Sequence, residues 1–291
     1  MRSASSGVTA LRGEVLVTPD ELEAALASSA PPLVLDVRWR LDRPDGHPEY
    51  LAGHLPGAIH VDLDHELAAH GDPVDGRHPL PPIESLQEAA RRWGLRQGQP
   101  VVVHDDLANL ASARAWWLLR AAGVADVRLL DGAMRAWTAS GRPLETGPVS
   151  RERGDVELRY GALPVLDIDA AAALPGEGGV LLDARAPERY RGDQEPVDPR
   201  AGHIPGALNA PATAVTDAEG RFLGASELGA HFEAIGVRPD APVGVYCGSG
   251  VTAAAEVVAL TLAGFAPSLY PGSWSQWSNT PGRPVATGPE A

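Results

Sequence analysis

Short, mainly apolar runs recur along the chain, each bounded by polar or glycine-rich segments. Residues 33–37, 101–104 and 127–130 form one set, and 180–183, 243–246 and 267–270 form a second. Apolar runs of this length without polar alternation suit strands buried on both faces. Longer stretches with helical character lie between them, such as Ser112 to Ala122 and Val251 to Leu262. One helix start is explicit. Thr18-Pro19-Asp20-Glu21 places a capping hydroxyl, then a proline at the first helical position, then a glutamate three residues after the cap. Strands alternating with helices predict an α/β fold, with mainly parallel sheets covered by helices on both faces.

The pattern occurs twice. Val34-Leu35-Asp36-Val37-Arg38 returns as Leu181-Leu182-Asp183-Ala184-Arg185, and Gly53-His54-Leu55-Pro56-Gly57-Ala58 as Gly202-His203-Ile204-Pro205-Gly206-Ala207. Val101 to His104 matches Val243 to Tyr246, Leu129 to Trp137 matches Leu269 to Trp277, and Gly141-Arg142-Pro143 matches Gly282-Arg283-Pro284. The order never changes, and the shift stays between 140 (129 to 269) and 149 (53 to 202) residues. So long a shift marks duplicated domains, not a solenoid, whose periods are about 20–50 residues. The expected organisation is a first domain over 10–145, a linker over 146–164 rich in Gly, Arg and Glu, and a second domain over 165–288.

Totals narrow the function. The 291 residues suffice for two domains, each able to bury its own core. A net charge of -14 and the absence of any dense Lys/Arg block argue against nucleic-acid and membrane-surface partners. A local arginine cluster can still attract a small anion. The N-terminus lacks an apolar core of signal-peptide length, and the apolar stretch near 257–266 is too short to span a bilayer. A cytoplasmic protein is expected. The single cysteine excludes an internal disulfide. No Cys/His cluster has metal-ligand spacing and no phosphate-loop or GxGxxG motif occurs, so neither a metal nor a cofactor is expected.

That cysteine, Cys247, stands in Tyr246-Cys247-Gly248-Ser249-Gly250-Val251-Thr252, between a predicted strand and an Ala-rich predicted helix. Open α/β sheets place ligands at such strand ends. Gly248 and Gly250 let the backbone curl with N–H groups inward, and the helix adds the positive end of its dipole. Both favour a thiolate, the nucleophilic form. Ser249 and Thr252 add hydroxyl donors. A buried, inert cysteine is the bland alternative, but the glycine-flanked position speaks against it. The aligned residue in the first copy is Asp105, which cannot act as a sulfur nucleophile.

With both GHxPGA motifs and this loop in view, the chain resembles tandem-domain rhodanese-family sulfurtransferases over nearly its full length. The neutral Gly248 and Ser249 make the loop similar to that of the 3-mercaptopyruvate sulfurtransferase branch, since thiosulfate-preferring members carry basic residues there. The resemblance implies that Cys247 carries a sulfane sulfur as a persulfide, cradled by Gly248, Gly250, Val251 and Thr252. It implies that Arg189 grips the anionic donor and that a second arginine lies before the GHIPG motif, where Arg200 is the nearby candidate. It also implies that Asp64 and His78 join Ser249 in relaying protons. His54 and His203, present in both copies, are expected to be structural. Trp116, Trp117, Trp137 and Trp277 are expected in the core, as is Trp274, for which a place facing the substrate pocket is the alternative.

The expected partners are a small anionic sulfur donor, 3-mercaptopyruvate or thiosulfate, and an external acceptor or reductant such as thioredoxin, glutathione, another small thiol or cyanide. A cysteine phosphatase needs an arginine six residues after its cysteine, where this chain has Ala253. A thiosulfate:cyanide sulfurtransferase and a sulfur carrier without turnover are the remaining alternatives.

Overall fold

The computed structural model describes residues 11–290, which cluster into two compact units. The first gathers the chain up to Ala69, Pro81–Leu163 and Thr216–Phe222. The second gathers His70–Leu80, Pro164–Val215 and the chain from Leu223 onward. Neither unit is a continuous stretch of sequence.

In the first unit β1 (Leu16–Val17), β2 (Leu33–Asp36), β3 (Ile59–His60), β4 (Val101–His104) and β5 (Val127–Leu130) form one parallel sheet in the order β1-β5-β4-β2-β3. The central β4 is buried along its whole length, which is why its VVVH sequence shows no alternation. The helices that follow β1 are α1 (Pro19–Leu26), α2 (His47–Ala52), α3 (Leu63–Glu66), α4 (Ile83–Arg92), α5 (Ser112–Ala121) and α6 (Ala133–Ala139). The capping box at Thr18 forms: its hydroxyl accepts the Glu21 N–H, and Glu21 accepts the Thr18 N–H. Helix α4 buries Leu86, Ala89 and Ala90, the i, i+3, i+4 face of an amphipathic helix.

The second unit repeats the plan. Its helices are α7 (Ile168–Ala173), α8 (Pro187–Arg191), α9 (Ala225–Ile235), α10 (Ala253–Leu262) and α11 (Ser273–Asn279). Strands β6 (Val180–Asp183), β7 (Ala207–Asn209), β8 (Val243–Tyr246) and β9 (Pro267–Leu269) form a parallel sheet in the order β7-β6-β8-β9. Leu181, Ile204, Tyr246, Trp274 and Trp277 pack into one core cluster. Trp137 sits with Val34, Val102 and Leu130 in the matching cluster of the first unit. Truncating such a tryptophan costs about 3–5 kcal/mol.

The predicted strands form, shortened by a residue at 37 and at 270. Strands β1, β3 and β7 lie outside the apolar runs. Each is only two or three residues long at a sheet edge, too short to show a period. The segment read as a linker is tied down on the first unit. The N–H groups of Gly147, Gly154, Asp155, Arg159 and Gly161 donate to the carbonyls of Leu51, Arg91, Leu95, Ala122 and Ala121.

The repeated motifs explain each other. Arg38 forms a two-pronged pair with Asp36 and also donates to the Gly53 carbonyl, while Arg185 does the same with Asp183 and the Gly202 carbonyl at 2.6 Å. Each DxR strand end therefore anchors the glycine that opens its GHxPGA motif. His54 stacks on Tyr50 with ring centroids 4.3 Å apart, and His203 stacks on Tyr190 at 3.8 Å. The His54 ring nitrogens meet the carbonyls of Leu55 and Gly147, and His203 Nδ1 meets that of Tyr190. Both histidines are fully buried and hold backbone. All five named tryptophans are buried.

Candidate active site

Cys247 follows β8 directly, and its loop leads into α10. Its side chain is 2% exposed. The Gly250 N–H donates to Sγ across 3.1 Å, an N–H–sulfur contact that favours negative charge on sulfur. Gly250 has φ +76°, and a Cβ there would stand 2.5 Å from the Pro271 carbonyl oxygen. Only glycine fits. The loop is stitched to the start of α11. The Cys247 N–H donates to Ser273 Oγ (3.1 Å), the Trp274 N–H to the Cys247 carbonyl (2.9 Å) and the Ser275 N–H to the Gly248 carbonyl (2.8 Å). Ser273 itself holds φ +54°, unusual for a side-chain-bearing residue. The carbonyls of Val251 and Thr252 accept N–H groups of Ala254 and Ala255 and so open α10.

Ser249 and His78 meet: Ser249 Oγ lies 2.7 Å from His78 Nδ1, and both side chains are largely buried. His78 reaches Ser249 because segment 70–80 belongs to the second unit. A short 3₁₀ turn, Pro73–Asp75, is followed by Gly76 at φ +89° and by Arg77, whose N–H donates to Ser275 Oγ at 3.0 Å. Asp64 belongs to the first unit, on α3, where its Oδ1 accepts the Trp39 indole N–H at 2.9 Å.

Two guanidinium groups converge on Gly248. A Cβ built on that residue would lie 3.2 Å from Arg77 Nη2 and 3.3 Å from Arg189 Nη1. Acidic groups hold both forks. Arg189 Nη2 donates to Glu195 (2.6 Å) and Asp198 (3.2 Å), and Arg77 Nη1 donates to Asp198 (2.6 Å). Arg189 was visible in the sequence and Arg77 was not. Arg200 stands elsewhere. Its guanidinium donates to the carbonyls of Trp277, Ser278 and Arg283, and so satisfies backbone at the end of α11. Trp274 also belongs to the core: its indole N–H donates to the Arg200 carbonyl, and Arg185 lies 4.6 Å over its ring.

A second group went unnoticed in the sequence. Glu256, on α10, is fully buried, and neither of its carboxyl oxygens has a hydrogen-bond partner. Burial pushes its pKa well above the usual carboxylate range, and the charges of Asp183 and Cys247 act in the same sense. It is held neutral. The sequence offered only one acid in an Ala-rich helix.

The corresponding loop of the first unit is filled by its own residue. Both oxygens of Asp105 accept backbone N–H groups, from Leu107 and Asn109 on one and from Ala111 and Ser112 on the other, all at 2.8 or 2.9 Å. Burial raises the Asp105 pKa, and the four donors oppose that rise. Ala108 and Asn109 carry positive φ here.

Two copies of a cradle at the end of a parallel strand, one holding a cysteine and one a carboxylate, agree with the matches to known proteins. The family model described as a rhodanese-like domain matches residues 18–140 and again 167–280. The chain belongs to the rhodanese family. A Mycobacterium tuberculosis relative, provisionally named thiosulfate sulfurtransferase SseB, is 52% identical and covers 95% of this chain and 98% of its own. A Pseudomonas aeruginosa relative, provisionally named 3-mercaptopyruvate sulfurtransferase, is 46% identical over 94% of this chain and 98% of its own. The crystal structure of SseA from Escherichia coli, described by its rhodanese fold and 3-mercaptopyruvate chemistry, superimposes with a TM-score of 0.80 at 34% identity. It covers 89% of this rhodanese chain and 98% of its own. Among the described residues, no helix is long and apolar enough to cross a membrane.

Proposed function

We propose that this chain is a 3-mercaptopyruvate sulfurtransferase working through a persulfide on Cys247. The Cys247 thiolate attacks the donor sulfur, the carbon–sulfur bond breaks, and the electron pair leaves on the enolate of pyruvate. The donor's thiol proton stays on the outer sulfur of the persulfide until it is released. The Gly250 N–H faces Sγ, which carries the charge before attack and again when the acceptor removes the outer sulfur. An external thiolate then takes the outer sulfur and regenerates the Cys247 thiolate. With one cysteine in the chain, no internal thiol can resolve the persulfide. A thiol-rich compartment such as the cytoplasm suits that cycle.

The observation that carries the choice of donor is the 2.7 Å contact between Ser249 and His78, in the cysteine loop itself. An enolate leaving group must receive a proton on carbon, whereas sulfite leaving from thiosulfate needs none, so a hydroxyl–imidazole pair beside the nucleophile serves the former. Arg189 supports binding of the donor carboxylate, and Gly248, Gly250, Val251 and Thr252 form the cradle. Asp64 joins the relay on the family resemblance. Arg200 is left out, because carbonyl groups occupy its guanidinium. Thiosulfate is the second reading, favoured by the name of the 52% identical relative. Pyruvate release from 3-mercaptopyruvate, set against thiocyanate formation from thiosulfate plus cyanide, tests the choice. A mass increase of one sulfur on the Cys247 peptide tests the intermediate. Faster turnover of thiosulfate would reverse the donor. Stable loading without turnover of either donor would make the chain a carrier.

A further inference from the structure

We infer, resting on the sulfur-transfer reading above, that Arg77 is a donor-binding residue: with Arg189 it completes a two-guanidinium seat for the donor's carboxylate over Gly248. Three observations carry this. Arg77 Nη2 and Arg189 Nη1 stand 3.2 and 3.3 Å from one point above Gly248, the residue next to the nucleophile. Neither nitrogen donates a hydrogen bond to any described residue, and Arg77 Nε is buried with no partner. Finally, the acids lie on the other arms of both forks. Asp198, whose side chain is 2% exposed, takes Arg77 Nη1 on one oxygen and Arg189 Nη2 on the other, and Glu195 takes the rest of Arg189.

Asp198 thus acts as a spacer that sets the two forks side by side, leaving one free N–H arm of each turned to the same place. A planar carboxylate is the ligand that two such arms match, and arginine holds it with directed bonds as well as charge. Gly248 is needed there because a side chain would fill the seat. Arg77 is held by its own segment: Gly76 at φ +89° turns the chain, and the Arg77 N–H is fixed on Ser275 Oγ at 3.0 Å.

The test uses the full-length chain with Arg77→Gln, Arg77→Lys and the double change Arg77→Gln/Asp198→Asn. For 3-mercaptopyruvate, Arg77→Gln is expected to raise KM about tenfold or more with kcat held within about threefold, the size of effect that loss of a charge-assisted bond produces. Arg77→Lys should fall between, since an ammonium is a point charge without a fork. A readout independent of turnover is the rate of Cys247 alkylation by iodoacetate relative to neutral iodoacetamide. That ratio should drop several-fold in Arg77→Gln while the iodoacetamide rate stays level. An unchanged KM together with an unchanged ratio overturns the inference. So does full recovery of both in the double variant, because Arg77 would then only neutralise Asp198. If the unaltered chain fails to turn over 3-mercaptopyruvate, the proposed function falls, while the alkylation ratio still decides the role of Arg77.

Discussion

The loop from Asp105 to Ser112 and the loop from Cys247 to Thr252 occupy the same place in two copies of one fold, yet they are satisfied differently. In the first, a buried carboxylate takes four N–H groups, so the cradle is closed by the chain itself. In the second, the sulfur takes one N–H among the described residues, from Gly250. The contrast continues nine residues on, where the first copy has a buried arginine, Arg114, and the second a buried glutamate, Glu256, whose pKa burial raises. A cradle built for negative charge serves as a structural knot when its anion is covalent and permanent, and as a reaction site when its anion is transient.

The largest effect that could break this contrast is on turnover. Cys247→Ser should lower pyruvate release by at least ~10³-fold, as loss of a catalytic nucleophile does. Adding Asp105→Cys in that background should restore nothing, because the first loop has no Ser249–His78 pair and no arginine seat. Recovery of activity would show that the loop alone suffices. Next in size is stability. Asp105→Ala should cost about 3–5 kcal/mol in urea unfolding, since four buried N–H groups lose their acceptor. A loss below about 1 kcal/mol would mean that water replaces the carboxylate, and the knot would be a fiction.

Glu256 gives a pH test. Its folded pKa is raised above the ordinary 4.5, so the folded state holds a proton that the unfolded chain releases. Stability therefore falls as pH rises from the unfolded pKa towards the folded one, by up to about 1.4 kcal/mol per pH unit for one proton. Glu256→Gln should flatten that slope and leave the protein more stable than the parent at alkaline pH, as read by thermal midpoints across pH. An unchanged slope would place the charge on Glu256 already in the native state. The smallest effect concerns backbone strain. Ala108 holds φ +53° at the position where the second loop has Gly250 at +76°. Ala108→Gly should change stability by no more than about 0.5 kcal/mol, because relief of strain and added unfolded-state freedom nearly cancel. Gly250→Ala should be far worse, since its Cβ meets the Pro271 carbonyl.

Much of this arrangement was legible in the sequence because it is local. Apolar runs of four residues gave the central strands, the five repeated matches gave the duplication, and glycine spacing marked the Cys247 loop. Arg77 was not legible. Nothing in Gly76-Arg77-His78-Pro79 says that this segment folds with residues a hundred or more positions later, and only packing against α11 turns the arginine to Gly248. Arg200 misled for the converse reason. Nearness to the GHIPG motif suggested a substrate contact, but the unsatisfied carbonyls at the end of α11 take its donors first. Glu256 was silent because a buried acid without a partner leaves no pattern in the amino-acid order.

The placement of residues 70–80 bears on heredity as well as chemistry. The cysteine-bearing copy is assembled from three stretches of chain, and Pro81–Leu163 of the other copy is encoded between the first and the second. A coding sequence that kept only the second half would retain Cys247 and lose both the imidazole on Ser249 and the guanidinium beside Arg189. The cysteine-free copy could therefore lose its own chemistry, with Asp105 sealing its empty cradle, while the gene could not shed it.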